Sequence, residues 1–439
     1  MDFKLEFTDK KITPWGGIVL LEKMLKRLKT EEFLGSISLP VQGSNRGYDP
    51  KQLIINFWLS IWCGASKFEH LEVTRQDDVL RNIFGWQVMA GHKAFQRYFR
   101  KFDLATNQRV FTESYRWFFR QIKFDNYTLD FDSSVITRYG DQEGATIGYN
   151  PNKPGRKSHH PIIAFVDDLR MVANFWLRPG NSYTTNNFVS FLHDTLSKLE
   201  GKKVGLIRAD SGFCHDAILN EFENETDPKN YIVAAKLYQP LKYHIVRENE
   251  WLKLGNGIDI ADTVYNSPSW SKSRRMIMVR QEIDIRPKAS GKQLRLFEPG
   301  EIYEKYRYSC YITNLTLPAK QVYDLYRGRA NAENRIKEIK NDFGTDSFNL
   351  KDFYATEAAL NFTALAYNMV SLFRQVILGT KVHHTLKTLK YKLFANGAYI
   401  VKNGNQKILK MSVDMKRRKW FVGLWAKSDF CDFPATINS

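Results

Sequence analysis

Apolar residues recur at three- and four-residue spacing in Gly16 to Leu28, Pro50 to Ile61 and Asn107 to Ile122, which predicts amphipathic helices for the first part of the chain. Between them His92 to Phe102 alternates basic and aromatic residues. On a helix this stretch would turn Phe95, Phe99 and Phe102 inward and present Lys93, Gln96, Arg97 and Arg100 outward, as a recognition helix would. An ordinary amphipathic helix with a solvated basic face explains it equally well. From about Asn126 the period changes to two. Tyr127 to Thr137, Pro161 to Val166 and Met171 to Leu177 read as strands, the last two joined through a turn at Asp167-Asp168-Leu169-Arg170. A helix over Asn187 to Leu199, a strand Val204 to Ala209, a helix ending near Phe222 and a strand Tyr231 to Ala235 follow. Early strands followed by alternating helix and strand predict a mixed α/β sheet.

The rhythm breaks from about Lys236 to Arg307, which reads as a β-rich insertion with Trp251, Trp270 and the basic run Lys272 to Arg275. A strand resumes at Tyr308 to Thr313, and Pro318 opens one long helix through about Asp342. Tyr354 to Leu378 is apolar on most of its circumference and should be buried. These changes divide the chain into a helical region 1–124, a first core segment 125–236, the insertion 237–307, a second core segment 308–378 and a basic region 379–439.

Charge narrows the partners. Lys and Arg number 65 against 47 Asp and Glu, a formal net charge of +18, and the last 69 residues alone hold 13 basic and 3 acidic residues. A surplus of this size favours a polyanion, because neutralising phosphates releases counterions. Nucleic acid is therefore expected ahead of a membrane surface. No window is apolar enough to span a bilayer, and the first residues lack the layout of a signal peptide. Cys63, Cys214, Cys310 and Cys431 are too scattered for a zinc pair or a disulfide ladder, so reduced thiols in a cytoplasmic protein are expected.

Two aspartates end apolar strands, Asp132 after Tyr-Thr-Leu-Asp-Phe and Asp210 after Val-Gly-Leu-Ile-Arg-Ala. Strand ends are where open α/β sheets bind ligands, and clustered carboxylates without a neighbouring His or Cys suit a hard divalent cation such as Mg²⁺. On the helix after Pro318, Tyr326, Arg329, Glu333, Lys337 and Lys340 fall on one face at spacings of three and four. Taken alone, that stripe is most simply a solvated surface laced with Glu–Lys pairs. Asp130 shares the parity of Asp132 and is the rival first ligand, whereas Asp167 and Asp168 read as turn residues.

Tyr326-x-x-Arg329-x-x-x-Glu333-x-x-x-x-x-x-Lys340 resembles the Tyr-Arg-Glu-Lys signature of bacterial DDE insertion-sequence transposases of the broad IS-four superfamily. Asp132-Ser133-Ser134 and Arg208-Ala-Asp210-Ser-Gly-Phe213 resemble the segments carrying its first two catalytic aspartates, in the same order. Tyr139-Gly-Asp-Gln-Glu-Gly144, His160-Pro161 and Arg178-Pro-Gly-Asn181 look like the IS-thirteen-eighty group. The likeness covers about 126–374.

The resemblance implies a ribonuclease H-like catalytic core with a β-rich insertion, flanked by an N-terminal helical DNA-binding region and a basic C-terminal region for DNA binding or dimerisation. It implies that Asp132, Asp210 and Glu333 bind two Mg²⁺ ions, replaceable by Mn²⁺, and carry out phosphoryl transfer. Tyr326, Arg329 and Lys340, with Lys337 assisting, would contact DNA phosphates. The substrates would be double-stranded DNA, the element's terminal inverted repeats and a target, held by a homodimer in a synaptic complex at the bacterial nucleoid. Trp251 and Trp270 are candidates for stacking a flipped base by location only, against burial in a small β core. Arg417 and Arg418, within Lys416 to Lys419 beside Trp420, are expected to bind DNA. A metal-dependent nuclease of the same fold without strand transfer, and a non-catalytic DNA-binding derivative, are the alternatives.

Overall fold

The computed structural model describes residues 3–43, 47–151, 153–283, 305–380 and 382–437. The chain forms two compact units, one of residues Asp125–Arg335 and one combining the residues before Asp125 with those from Ile336 onward.

The Asp125–Arg335 unit is built on a nine-stranded mixed sheet. Its strands, numbered along the chain, are β1 (Tyr127–Ser133), β2 (Ile162–Val166), β3 (Met171–Trp176), β4 (Val204–Ala209), β5 (Tyr231–Ala235), β6 (Leu252–Gly255), β7 (Ile258–Tyr265), β8 (Arg274–Glu282) and β9 (Tyr306–Thr313). Their spatial order is β6-β7-β8-β9-β5-β4-β1-β2-β3. β1, β2 and β3 form an antiparallel meander, β4 pairs parallel to β1, and β5 pairs parallel to β4. Each parallel pairing needs a crossover, supplied by α1 (Phe188–Lys198) before β4 and α2 (Asp216–Phe222) before β5. The segment expected as an insertion places β6, β7 and β8 on the same sheet, extending it antiparallel through β9.

The alternation in β1 sorts the two faces. Phe131 packs edge-on against Phe188 and Phe191 of α1, at centroid distances of 5.1 and 6.0 Å. Asp130 and Asp132, of opposite parity, therefore project from the other face. That face is covered by α4 (Ala319–Arg327), which follows α3 (Gln239–Arg247) in the chain. Val322 and Tyr323 of α4 join Leu206, Ile232, Ile260, Ile277 and Tyr311 in one apolar cluster. The long helix expected after Pro318 is broken: α4 ends at Arg327, and α5 (Ala330–Phe343) begins after Gly328 and Arg329. Between β1 and β2 the chain makes a small three-stranded sheet from Ile136–Thr137, Thr146–Ile147 and Lys157–His159.

The other unit is mainly helical. Its centre is the helix Phe353–Phe373, buried from Ala355 to Phe373 as its all-round apolar character predicts. Trp58 and Trp62 of the helix Pro50–Trp62 donate indole hydrogen bonds to the carbonyls of Phe362 and Ala366 at 2.8 and 3.2 Å. Phe95, Tyr98 and Phe99 bury one side of the helix His92–Phe99. The basic tail closes back on the chain's beginning. A hairpin of Ala398–Asn403 and Gln406–Met411 meets Thr13, and Ile122–Lys123 pairs in parallel with Ala435–Thr436. Lys23 lies 4.2 Å from the ring centre of Trp425 on the helix Met415–Phe430. None of the described helices is long and apolar enough to cross a membrane, and the four cysteines are free thiols.

Candidate active site

In the parallel pair β1–β4, Asp130 is opposite Arg208 and Phe131 is opposite Ala209. One step further along, Asp132 and Asp210 come abreast at the C-terminal ends of adjacent strands. Asp210 accepts a hydrogen bond from the Gly212 amide at 2.9 Å, which caps the short turn Ser211–Phe213. Asp132 accepts the Ser133 amide at 2.7 Å. Burial pushes the Asp132 carboxyl up to about 6; Arg329 opposes this shift, while the charges of Asp210 and Glu333 reinforce it.

The helix break explains where Arg329 goes. The Arg329 amide donates to the Tyr326 carbonyl at 3.0 Å, and Ala332 donates to Arg329 at 2.9 Å, so the chain makes a tight turn between α4 and α5. Arg329 leaves the expected exposed stripe and is only 6% exposed. Its Nη2 lies 3.3 Å from Asp132 Oδ2 and donates to the Phe131 carbonyl at 3.2 Å, and its Nη1 lies 3.8 Å from Glu333 Oε1. The guanidinium thus supplies countercharge among the three acids. Glu333 itself is exposed on the first turn of α5. Lys337 and Lys340 follow on the same helix, one exposed and one half-buried. Tyr326 stacks on Tyr311 at 4.3 Å between centroids and reaches the Ala209 carbonyl at 3.4 Å. The expected single stripe is therefore corrected: Glu333, Lys337 and Lys340 share a helix, whereas Tyr326 and Arg329 precede its start.

Asp130 is not free to act as a ligand. It is fully buried, and Arg208 grips both its oxygens, Nε to Oδ1 at 2.6 Å and Nη2 to Oδ2 at 2.7 Å. Asp168 behaves as a turn residue, accepting the Thr128 amide at 2.7 Å. Asp167 does more than turn the chain, since it pairs with both Arg208 and Arg335.

The three acids offer the hard oxygen donors that a divalent cation takes, and the charges of Asp210 and Glu333 add to the burial that raises Asp132. Among the described residues no three acidic, histidine or cysteine groups already stand close enough to hold a metal ion. The donor chemistry fits, with Arg329 meeting part of the charge demand.

Sequence reasoning missed Arg178, which is buried and has no carboxylate partner among the described residues. It donates to the carbonyls of His160, Tyr183, Thr184 and Asn186 and, through Nη2, to the Ser133 hydroxyl at 3.0 Å. Burial lowers its guanidinium to about 10. The motif Arg178-Pro-Gly-Asn181 was legible, but its inward direction was not. Gly180 in that motif is needed for close packing, because a Cβ there would lie 2.0 Å from the Ser158 carbonyl oxygen. His159 accepts from Arg138 at 3.0 Å and meets the Glu143 carbonyl at 2.9 Å, so it holds the small sheet together. Trp251 and Trp270 are half-buried: Trp251 donates to the Glu248 carbonyl and lies under Arg280, while Trp270 meets Tyr265 edge-on beside Arg274. In the other unit Lys93, Arg97, Arg100 and Arg418 are exposed and Arg417 is half-buried against Trp420. Arg100 also lies 3.5 Å from Asp352.

The chain belongs to the DDE transposase domain family, group 1, whose model matches residues 2–427. Its class is thereby that of DNA-cutting and DNA-transferring enzymes that generally use divalent metals. Among solved structures, a piggyBac transposase synaptic complex with hairpin DNA is similar at 12% identity and a TM-score of 0.47, over 86% of this chain and 78% of that one. No curated protein sequence matches.

Proposed function

We propose that the protein is the transposase of a bacterial insertion sequence of the IS-four superfamily, nearest the IS-thirteen-eighty group. It binds the element's terminal inverted repeats, cleaves the DNA ends and transfers the 3′ ends to target DNA. The observation that carries this reading is the abreast pair Asp132 and Asp210, with the Arg329 guanidinium reaching both Asp132 and Glu333. A meander followed by two parallel strands agrees with a ribonuclease H-like core.

In this reading Asp132, Asp210 and Glu333 hold two divalent ions, Mg²⁺ or Mn²⁺, which when bound activate the attacking oxygen and stabilise the leaving one. Asp132 has to be ionised to serve. Arg329, buried against it, favours that state and offers a forked donor set for phosphate. Tyr326, at the end of α4, and Lys337 and Lys340, on α5, are further DNA contacts in this reading. Lys93, Arg97, Arg100, Arg417 and Arg418 supply basic contacts to duplex DNA, and half-buried Trp251 and Trp270 are the aromatic candidates for an unstacked base. Joining two ends calls for two protomers, hence a homodimer in the synaptic complex.

The test is cleavage and joining of a labelled duplex carrying the element's terminal repeat with Mg²⁺, comparing the native protein with Asp210→Asn. Loss of both steps with binding retained is expected. Binding without cutting by the native protein, under conditions that pair the ends, would overturn the catalytic reading.

A further inference from the structure

One layer below the acids, four charged side chains form a continuous chain, three of them buried and Asp167 half-buried. Arg208 grips Asp130 with two bonds, reaches Asp167 Oδ2 with Nη2 at 2.6 Å, and donates from Nη1 to the Leu325 carbonyl at 2.6 Å. Asp167 in turn pairs with Arg335. Apart from Asp167, each member lies within two residues of the candidate site. Asp130 precedes Asp132 by two on β1, and Arg208 precedes Asp210 by two on β4, so strand periodicity puts each pair on one face. Leu325 is the residue before Tyr326. Arg335 follows Glu333 by two on α5, which turns it to the opposite side of the helix: Arg335 is buried where Glu333 is exposed.

A buried ion network is a poor way to gain stability, since apolar residues of like volume do as well or better once desolvation is counted. What it does supply is direction, because a guanidinium satisfied on all sides admits one arrangement of its partners. Gly328 provides independent support. Its backbone is helical, at φ −55° and ψ −26°, where alanine would ordinarily be preferred. A Cβ at this position would lie 2.6 Å from Arg208 Nη1. That nitrogen is held by its bond to Leu325 and by the grip on Asp130, so it cannot move aside cheaply. Gly328 leaves room for Arg208 at the turn that delivers Arg329 and Glu333.

Building on the proposed metal-binding role of the acids, we infer that Arg208 is the central positioning residue of this site. It fixes β1, β4, the end of α4 and, through Asp167 and Arg335, the rotation of α5, so that the three acids can meet one metal cluster. Arg208, Asp130, Asp167 and Arg335 touch neither metal nor DNA themselves.

The experiment is Mn²⁺ titration of the full chain followed by electron paramagnetic resonance, on the native protein, Asp132→Asn, Arg208→Lys, Gly328→Ala and the double variant Arg208→Lys/Gly328→Ala. Thermal melts and DNA-end affinity without metal are recorded alongside. Arg208→Lys is expected to weaken Mn²⁺ binding by about 10–100-fold, the range for groups that orient metal ligands, with end affinity unchanged. Gly328→Ala should weaken it less. The double variant should bind nearly as Arg208→Lys does, because the severe conflict of the methyl group is with the guanidinium already removed, leaving only a 3.3 Å approach to the Leu325 carbonyl oxygen. Should Arg208→Lys fail to fold, Gly328→Ala carries the test alone. Native-like Mn²⁺ binding by Gly328→Ala and by every folded Arg208 variant, while Asp132→Asn loses it, would overturn the positioning role and leave the metal-site reading standing. Equal binding by the native protein and Asp132→Asn would overturn both.

Discussion

Asp132 and Asp210 stand side by side because Phe131 pairs in register with Ala209 across two parallel strands. A shift of that register by one residue would turn one carboxylate to the far face and bury it against α1. The site is therefore as specific as the strand pairing, and perturbations of either acid should be read through the other.

The first prediction concerns Asp132. Its folded carboxyl is raised to about 6, above the value of about 4 expected for an unfolded aspartate. The folded state retains a proton that the unfolded chain has released, so stability falls as pH rises from about 4 to about 6 and stays reduced above that. In metal-free protein Asp132→Asn should accordingly be more stable than native at pH 7.5, by about 3 kcal/mol at most, and should lose that advantage by pH 4. Thermal melts across pH check this, and a destabilised variant at neutral pH would refute it.

Glu338 should behave in the opposite sense. It is buried on α5, accepting from Arg374 at 2.5 Å, from the Leu386 amide at 2.9 Å, and meeting His383 at 2.7 Å. Burial alone would raise its carboxyl, but His383 and Arg374 hold it below the usual range. The stability it contributes is complete above about pH 4.5 and is lost as pH falls through the lowered value. Glu338→Ala strands the Arg374 charge and should cost about 3–5 kcal/mol in denaturant unfolding at pH 7.

Arg178 is expected to be indispensable to the loop after β3. Replacing it by Met would leave the carbonyls of His160, Tyr183, Thr184 and Asn186 without their donor. A loss of about 3 kcal/mol or more follows from those buried acceptors, together with faster proteolysis between Asn181 and Asn187. Limited digestion followed by mass spectrometry would locate the cuts.

Basic residues of the last helix give a salt-dependent prediction. Lys416, Arg418 and Lys419 are exposed near the start of Met415–Phe430. If each meets a phosphate, changing all three to Gln should weaken binding to any duplex and reduce the slope of log affinity against log salt by about 2.7, from about 0.9 per contact. An unchanged slope would exclude this helix from the DNA-binding surface.

The strands Val204–Ala209 and Tyr231–Ala235 were legible to the residue, because short apolar runs bounded by polar residues have few alternatives. The buried helix Phe353–Phe373 was legible, expected as Tyr354 to Leu378, because its apolar residues cover most of its circumference. Pairing was not. That β6, β7 and β8 extend the main sheet, and that Ala435 returns to Ile122, depends on contacts between segments whose local pattern carries no address. The break before α5 was hidden because Gly328 itself is helical, and the space it leaves is occupied by Arg208, distant in sequence. Asp167 looked like a turn residue, since a second role at a turn leaves no local mark.

The crossovers that make β4 and β5 run parallel to β1 also spread the three acids along the order of synthesis. Asp132 and Asp210 leave the ribosome well before Glu333. If all three are needed, a nascent or truncated chain that has already formed its meander is chemically silent toward the DNA around it. A cell carrying the gene is then exposed to cutting only by chains that have been extended past Glu333.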